Sequence, residues 1–194
     1  MKTTKTGFWK SWKPGGNKEE IVKNIHIETE RLILRRFREK DLDDLYEYLS
    51  DEEVVRFEPY RPMSLDEVRE NLSWRIGAEE MIAVEDKATG KLLGNLYLAR
   101  EKFETMELGY VFARAFWGQG YAKESCAALI DLCFQEGVHR IIAHCDPLNP
   151  ASWHLLEALG FRREAHLREN AYFWKDENGS PIWKDTYIYS KLNK

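Results

Sequence analysis

The sequence predicts an α/β fold in which helices cover both faces of a mixed, mostly antiparallel sheet. Apolar residues alternate with polar ones in some segments and recur every three or four residues in others, as expected for strands and helices respectively. These segments follow the order strand, two helices, three strands, helix, strand, helix, two strands, so we expect a seven-stranded sheet. The 194 residues, of which 43% are hydrophobic, suit one large domain with its own core.

Residues 1–24 differ from the rest of the chain because they show neither a helical nor a strand period. This segment is rich in lysine and is interrupted by a proline followed by two glycines. Such a composition is typical of a mobile terminal arm. We therefore expect a mobile arm at 1–24 and a single domain at 25–194.

The first half of the chain contains three predicted strands and two predicted helices. The strands are 31–37, 81–86 and 91–100, and the helices are 39–51 and 65–77. Ser64 followed by Glu67 is the pattern of a capping box, in which each residue binds a free backbone N–H of the other. This pattern predicts that the second helix begins at Leu65.

The second half of the chain alternates strands and helices. A strand at 104–112 leads through a glycine-rich loop into a helix that extends from Ala122 towards Gly137. The remaining elements are a strand at 139–145, a helix at 149–159, and strands at 161–173 and 184–192. Asn149 suits the N-cap of the last helix because its side chain can accept a backbone hydrogen bond, and Pro150 suits the first helical position.

Composition and charge exclude several classes of function. The net charge of −4 argues against non-specific binding of nucleic acid, which depends on an excess of Lys and Arg. No run of about 18 apolar residues occurs, so we expect no membrane-spanning segment. The three cysteines form no CxxC pair, which favours a reducing, cytoplasmic compartment. The histidines lack a metal-ligand spacing, so we expect no metal site.

The loop FWGQGYAKES carries two glycines, Gly118 and Gly120, between a predicted strand and a predicted helix. Bare backbone at the start of a helix exposes N–H groups at the positive end of the helix dipole, which is a site for anions. The loop is not a Walker A sequence, and Lys123 stands where a dinucleotide-binding fingerprint requires its third glycine. Taken alone, the two glycines are explained equally well by a tight structural turn.

A second motif downstream distinguishes between these explanations. The pattern N-x-x-S-x-x-x-L-E-x-L-G-F occupies residues 149–161, about thirty residues after the WGQGYA loop. These two motifs, in this order, resemble the GCN5-related N-acetyltransferase (GNAT) superfamily. The run ETERLILR at 28–35 is similar to the start of the RimJ/RimL-type ribosomal-protein N-terminal acetyltransferases. The resemblance covers roughly residues 26–192.

The resemblance implies that acetyl-CoA is the cosubstrate and lies where two parallel strands, here 104–112 and 139–145, splay apart. The pyrophosphate would rest on the loop amides, and the peptide-like pantetheine would pair with the edge of the first strand. An amide near its end would also stabilise the oxyanion of the reaction. The implied binding residues are Val111, Phe112, Trp117, Gly118, Gln119, Gly120, Tyr121, Ala122 and Asn149. The family's loop often begins with Gln or Arg, where this chain has Ala115.

The implied reaction is direct attack of an amine on the thioester, which needs a proton acceptor. Glu107 and His144 are the two candidates, and we favour Glu107 because a strand-borne carboxylate beside the gap is common in the family. Many family members supply a tyrosine to the departing thiolate at a position that is Leu156 here. We therefore assign Ser152 a hydrogen bond to the sulfur, although a role at the start of the helix explains this serine equally well.

The acceptor side of the expected site is acidic and aromatic. Residues 39–58 carry nine acidic and two basic side chains, and the resemblance places this segment over the acceptor, where it would attract a cationic amine. The aromatic residues expected to wall the groove or to form a dimer contact are Tyr172, Phe173, Trp174 and Trp183. We expect the acceptor to be a peptide or protein N-terminal α-amine. The alternatives are a small amine, such as a polyamine, and a non-catalytic acyl-CoA-binding protein. Similar proteins include homodimers, so a homodimer is also expected as an assembly.

Overall fold

One mixed sheet of eight strands organises the computed structural model, which describes residues 25–194. The predicted mobile arm at 1–24 lies outside the described residues. The strands are β1 (Ile27–Glu28), β2 (Leu32–Arg35), β3 (Met81–Asp86), β4 (Leu92–Arg100), β5 (Thr105–Phe112), β6 (Arg140–Cys145), β7 (Arg162–Ala171) and β8 (Lys184–Leu192). Their spatial order is β1-β2-β3-β4-β5-β6-β8-β7, and every neighbouring pair is antiparallel except β5 and β6.

Five α-helices connect these strands within the described residues. They are α1 (Leu42–Leu49), α2 (Glu52–Val55), α3 (Leu65–Gly77), α4 (Tyr121–Gln135) and α5 (Pro150–Ala158). The capping box predicted for α3 is confirmed, because Ser64 and Glu67 each accept a hydrogen bond from the other's backbone N–H. The N-cap predicted for α5 is also confirmed, since the Asn149 side chain accepts from the backbone N–H of Ser152.

Two expectations about the elements were wrong in detail. The sheet has eight strands rather than seven, because Ile27–Glu28 forms a two-residue strand that is too short to show a period in the sequence. The segment expected as one helix at 39–51 is a 3₁₀ turn (Glu39–Asp41) followed by α1. A separate short helix, α2, begins after it. The break arises at Asp51, whose side chain accepts a hydrogen bond from the backbone N–H of Glu53 and so caps a new helix.

The helices cover both faces of the sheet, as the sequence predicted. On one face α4 and α5 contribute Cys126, Leu129, Ile130, Cys133 and Leu156 to a core with β5 and β6. On the other face α1, α2 and α3 contribute Leu45, Tyr48, Leu49, Val54, Val55, Val68 and Leu72 to a second core. Alternate residues of β5 therefore point into different compartments, with Leu108 in the first core and Val111 against the second.

A buried ion-pair network joins β2 to the start of the first helical segment. The guanidinium of Arg35 donates to Asp41 Oδ1 at 2.7 Å and to Glu85 Oε2 at 2.6 Å. The side chains of Arg35 and Asp41 are each only 2% exposed. Lys40 donates to the same oxygen of Glu85 at 2.8 Å. Because the charges are paired at short distance, the network holds the 3₁₀ turn against the sheet without leaving a buried charge uncompensated.

Strands β5 and β6 are paired along only part of their length. The parallel register joins Thr105, Met106 and Glu107 to Arg140, Ile141 and Ile142, and the pairing stops there. Beyond this point β5 continues to pair with β4 as far as Phe112, and β6 continues with β8 as far as Cys145. The strands therefore diverge, and a gap opens between residues 108–112 and 143–145.

The backbone of β5 presents alternate residues to this gap. The N–H of Ala113 donates to Leu93 and the carbonyl of Thr105 accepts from Glu101, so odd-numbered residues of this segment face β4. Backbone groups alternate in direction along a strand, and the groups that face the gap are therefore those of the even-numbered Tyr110 and Phe112. Their peptide groups form the free edge of the gap.

Candidate active site

The loop between β5 and α4 has the backbone that its glycines predict. Gly118 and Gly120 have φ values of 72° and 83°, in the left-handed region where a side chain would be strained. A Cβ added at Gly118 would meet no atom within 4 Å, so the space beside the loop is open. Gly120 is the N-cap of α4 and supplies no side-chain cap, and the N–H groups of the first helical turn have no partner within the helix. The arrangement suits a bound anion.

Arg31 anchors this loop, although the sequence alone did not single it out. Its Nη1 donates to the carbonyl of Gln119 at 3.1 Å, and its Nη2 lies 2.7 Å from Glu124 Oε2. The same guanidinium stacks over the ring of Tyr121, 4.2 Å from the centroid. Thr29 also donates to Glu124, at 2.6 Å. The segment ETERL, which carried part of the family resemblance, thus ties β2 to the first turn of α4.

Two further hydrogen bonds shape the loop from within. The indole Nε1 of Trp117 donates to the carbonyl of Phe112 at 2.7 Å, and the side-chain amide of Gln119 donates to the carbonyl of Ala115 at 2.7 Å. The first of these occupies a gap-facing carbonyl of β5. The hydrogen bond from Gln119 ends on the backbone carbonyl of Ala115. It therefore does not need the Gln or Arg side chain that the family often carries at this position.

Glu107 and His144 form a hydrogen-bonded pair at the point where β5 and β6 stop pairing. Oε1 of Glu107 lies 2.8 Å from Nδ1 of His144, and their side chains are 30% and 39% exposed. The hydrogen bond from Glu107 raises the pKa of the His144 imidazole above its usual value, and burial opposes this effect. The same bond lowers the pKa of the Glu107 carboxyl. The sequence offered these residues as alternatives, and the structure brings them together.

Tyr110 and Ser152 form a second bridge across the gap, on the opposite face of the sheet. The hydroxyl of Tyr110 lies 2.9 Å from Ser152 Oγ and donates to the carbonyl of Ser152 at 3.0 Å. Burial raises the pKa of the Tyr110 phenol well above its usual range. Tyr110 was not predicted as a site residue. Its odd separation from Glu107 indicates only that it faces the other side of the sheet.

Cations packed on aromatic rings join the segment after α2 to the region between β7 and β8. The guanidinium of Arg61 lies 4.7 Å from the ring centroid of Trp174, and Nζ of Lys184 lies 5.7 Å and 5.8 Å from the centroids of Phe57 and Phe173. Lys184 also donates to Asp146 at 2.8 Å. The segment after α2 thus meets the hairpin between β7 and β8. We call these contacts the rim bridge.

Two further aromatic residues of the hairpin pack against each other. The rings of Tyr172 and Trp183 pack edge to face with centroids 5.2 Å apart. Both are about half exposed, at 45% and 51% respectively. Of the four aromatic residues predicted near the acceptor, Phe173 and Trp174 thus belong to the rim bridge, and Tyr172 and Trp183 pack on each other.

Many of the acidic side chains of 39–58 have partners within the protein. Ion pairs join Asp41 to Arg35, Asp44 and Glu47 to Lys91, Asp51 to Arg114, and Glu53 to Arg56. Glu58 differs from these because burial raises the pKa of its carboxyl to about 7, an effect that Arg75 partly offsets. Asp51 and Arg114 also line a cleft of about 420 Å³ beside the glycine loop. Five of the nine acidic side chains of this segment are therefore paired within the protein, with Lys91 shared by two of them.

Comparison with known proteins decides the family. Residues 31–162 match the family model described as the acetyltransferase (GNAT) domain. The chain belongs to the GNAT acetyltransferase family. Its relatives include the uncharacterized N-acetyltransferase YnaD of Bacillus subtilis, which is 31% identical over 176 residues, covering 88% of this chain and 98% of the relative. A spermidine N(1)-acetyltransferase of Vibrio cholerae is 29% identical over 150 residues, covering 73% of this chain and 85% of the relative.

A solved structure confirms the GNAT fold. The GNAT-family acetyltransferase of Bacillus anthracis superposes with a TM-score of 0.79 and 31% sequence identity, covering 87% of this chain and 99% of the other. The GNAT protein described here is accordingly an acetyl-CoA-dependent N-acetyltransferase. The narrower assignment to the RimJ/RimL type stays a prediction.

The GNAT fold gives the predicted acetyl-CoA residues a common location. The loop residues Trp117 to Ala122 lie at the start of α4, Phe112 lies on the free edge of β5, and Asn149 lies at the start of α5 across the gap. Val111 differs, since its backbone faces β4 and its side chain packs against the second core. The position at which many GNAT proteins carry a tyrosine is occupied by Leu156, which is fully buried.

Residues 25–194 contain no cluster of three or more His, Cys, Asp or Glu side chains that could hold a metal ion. No helix in this same part of the GNAT protein is both long and apolar enough to cross a bilayer.

Proposed function

We propose that this GNAT protein acetylates a primary amine at the Glu107–His144 pair. The observation that carries the proposal is the 2.8 Å hydrogen bond between the two side chains, located where the strands begin to splay. A carboxylate bound to one ring nitrogen fixes the tautomer of an imidazole and leaves the other nitrogen free to accept a proton. We assign proton acceptance to Nε2 of His144 and orientation of the ring to Glu107.

The described residues fit acetyl-CoA. The left-handed backbone at Gly118 and Gly120, the open space beside the loop and the N-terminus of α4 suit a pyrophosphate. The gap-facing peptide groups of Tyr110 and the N–H of Phe112 suit a peptide-like arm. When bound, acetyl-CoA supplies an acetyl group activated as a thioester. The protein's part is to hold it between the two bridges and to take a proton from the acceptor amine.

For the acceptor, the first candidate is the α-amine at the N-terminus of a peptide or protein. This class is supported by the similarity of residues 28–35 to the RimJ/RimL type and by the exposed aromatic rings of Tyr172 and Trp183 on the hairpin between β7 and β8. Flat, half-exposed rings suit a peptide backbone and side chains, since they offer contact area at low entropic cost.

A second candidate, a small amine, is favoured by the rim bridge. The segment at 57–61 packs with the helices over β3–β5, whereas the hairpin belongs to β7 and β8, so contacts between them must pass over the gap. Such a bridge limits the size of the molecule that can reach His144. The spermidine acetyltransferase relative has a small amine in its name and supports the same candidate. Cytoplasmic location and homodimer assembly stay predictions.

The experiment that tests the proposed function is release of free thiol from acetyl-CoA in the presence of two acceptor panels, N-terminal peptides and small mono- and polyamines. We expect turnover with at least one panel, and loss of about 10²- to 10⁴-fold in kcat/KM in the variant His144→Asn. His26 is exposed and pairs with Glu28 far from the gap, so His26→Asn is the control. Binding of acetyl-CoA without thiol release from either panel would overturn the proposal.

The rim bridge allows the two acceptor classes to be separated. If the bridge limits acceptor size, Trp174→Ala should raise activity towards peptides relative to small amines. If peptides are the acceptors, Trp183→Ala should weaken peptide binding and raise the KM for them. Trp74 is 51% exposed on α3 and takes no part in the rim bridge, so Trp74→Ala is the matched control.

A further inference from the structure

Tyr110 and Ser152 connect the two sides of the gap on the face opposite to Glu107 and His144. Tyr110 lies on β5, beyond the last residue pair with β6, and Ser152 lies in the first turn of α5, which follows β6. Their hydroxyl oxygens are 2.9 Å apart. The gap is therefore flanked by an acid–base pair on one face and by a hydroxyl pair on the other.

Either hydroxyl of the pair can be the donor, and a bound ligand could determine which one donates. The phenol of Tyr110 has one proton, which it can give either to the carbonyl of Ser152 at 3.0 Å or to Ser152 Oγ at 2.9 Å. Burial raises the pKa of the Cys145 thiol to about 11, an effect that the Ser152 hydroxyl partly offsets. If Tyr110 donates to Ser152 Oγ, the proton of Ser152 is released to point at another acceptor. Chained hydroxyls strengthen each other as donors.

We propose that Tyr110 is a positioning residue that turns the Ser152 hydroxyl towards the departing sulfur of CoA. The inference rests on the proposed acetyl transfer. In that reaction the bond between amine nitrogen and acetyl carbon forms and the bond between carbon and sulfur breaks, with the electron pair leaving on sulfur. The amine proton passes to His144, and the thiolate, held by the Ser152 hydrogen bond, takes its own proton from water after release.

The location of the pair supports this role. The amine reaches the acetyl carbon from the side of His144, and the sulfur must lie on another side of that carbon. The described residues place Tyr110, Ser152 and Cys145 together at the gap on the other face. Leu156, one turn further along the same helix, cannot donate and is fully buried. Tyr110 reaches the region from β5 and brings a phenol to Ser152.

The first test uses binding alone. CoA and desulfo-CoA, which lacks only the sulfur, are titrated into the wild type, Tyr110→Phe and Ser152→Ala. A hydrogen bond to sulfur should give the wild type a preference for CoA, and both variants should lose roughly 2- to 10-fold of that preference, as expected for one hydrogen bond. The affinity for desulfo-CoA should stay within twofold. An unchanged preference in Tyr110→Phe would overturn the inference.

The second test uses kinetics with a matched control. Tyr110→Phe should lower kcat about tenfold, corresponding to about 1.4 kcal/mol, and leave the KM for acetyl-CoA unchanged. The double variant with Ser152→Ala should lose no more than the single ones, because both act through one hydrogen bond. Tyr189, whose hydroxyl donates to Glu157 on α5 at 2.9 Å within the same core, supplies the control Tyr189→Phe, which should keep kcat.

The outcomes separate the two proposals. If the wild type releases thiol and Tyr110→Phe matches it in kcat, the role of Tyr110 is wrong and the proposed function stands. If the wild type releases no thiol with any acceptor, the proposed function fails, and the comparison of CoA with desulfo-CoA still decides whether Tyr110 directs a hydrogen bond to sulfur.

Discussion

Oε1 of Glu107 lies 2.8 Å from Nδ1 of His144, although the two residues are 37 positions apart in the chain. Both belong to the only parallel strand pair among the described residues, at the end of its register. The hydrogen bond gives the carboxylate and the imidazole distinct roles that neither residue type specifies alone.

The pH dependence of turnover should report on the pair. Glu107 raises the pKa of His144, and a proton acceptor must be unprotonated, so the rate should rise with pH through that raised pKa. In Glu107→Gln the pKa of His144 should fall towards its ordinary value, and the rising limb of kcat/KM should move to lower pH. The measurement is the pH–rate profile with saturating acetyl-CoA.

His166 and Asp185 provide the control for this profile. They form a similar pair at 2.6 Å on the β7–β8 hairpin, away from the splayed strands. Asp185→Asn should leave the profile unchanged. A rising limb that stays at the same pH in Glu107→Gln would contradict the role assigned to His144, because that limb would then not report the pKa of His144.

The left-handed glycine of the loop should be required for acetyl-CoA binding. Gly118 has a φ of 72°, so Gly118→Ala strains the backbone by about 1 kcal/mol or moves the loop amides. We expect the KM for acetyl-CoA to rise by roughly fivefold or more, as that energy implies. Gly90 has a φ of 71° in the turn between β3 and β4 and also has open space beside it. Gly90→Ala should cost similar stability without changing this KM.

Glu58 should make the protein less stable as pH rises. Burial raises the pKa of its carboxyl from 4.5 to about 7, so the folded protein binds this proton more tightly than the unfolded chain. Its contribution is therefore most favourable below pH 4.5 and is lost as pH rises through about 7. Glu58→Gln should flatten the decline of the free energy of unfolding between these pH values. Urea denaturation at several pH values measures it.

An exposed carboxylate nearby separates this effect from a general change of charge. Glu52, at the start of α2, is exposed, and Glu52→Gln removes the same charge without a burial penalty. The slope of stability against pH should be unchanged in that variant. A slope in Glu58→Gln that equals the wild-type slope would show that Glu58 does not titrate differently in the folded protein.

Removal of Arg35 should destabilise the fold strongly. The change Arg35→Met leaves Asp41 and Glu85 without the buried cation that both contact, and we expect the free energy of unfolding to fall by about 3–5 kcal/mol. Arg69 pairs with Asp66 on the exposed face of α3, at 2.5 Å, and Arg69→Met should cost less than about 1 kcal/mol. Equal losses in the two variants would contradict the structural role of burial.

Local signals in the sequence predicted most elements, whereas the site depends on non-local ones. The capping box at Ser64 and the N-cap at Asn149 were confirmed because each is a contact within four residues. The two-residue strand β1 could not be predicted because it is too short to alternate. The helix α2 was missed because its four residues are too few to show a helical period.

The site residues show the same distinction. Gly118 and Gly120 were found from a short motif, and their conformation depends on the residues beside them. The contact between Glu107 and His144 depends on the parallel register of β5 and β6, which no local pattern specifies. Arg31 and Tyr110 were missed because each acts through a partner on a distant element, Glu124 and Ser152 respectively.

Three residue pairs form the whole backbone connection between β5 and β6. The sheet therefore consists of two subsheets that are joined only by this short pairing. The first contains β1 to β5, and the second contains β6, β8 and β7. A molecule that hydrogen-bonds to the free edge of β5 and packs against the second subsheet would extend the connection between the two subsheets. A molecule bound in the gap therefore stabilises the contact between the two subsheets, and this contact is least stable after the molecule has left.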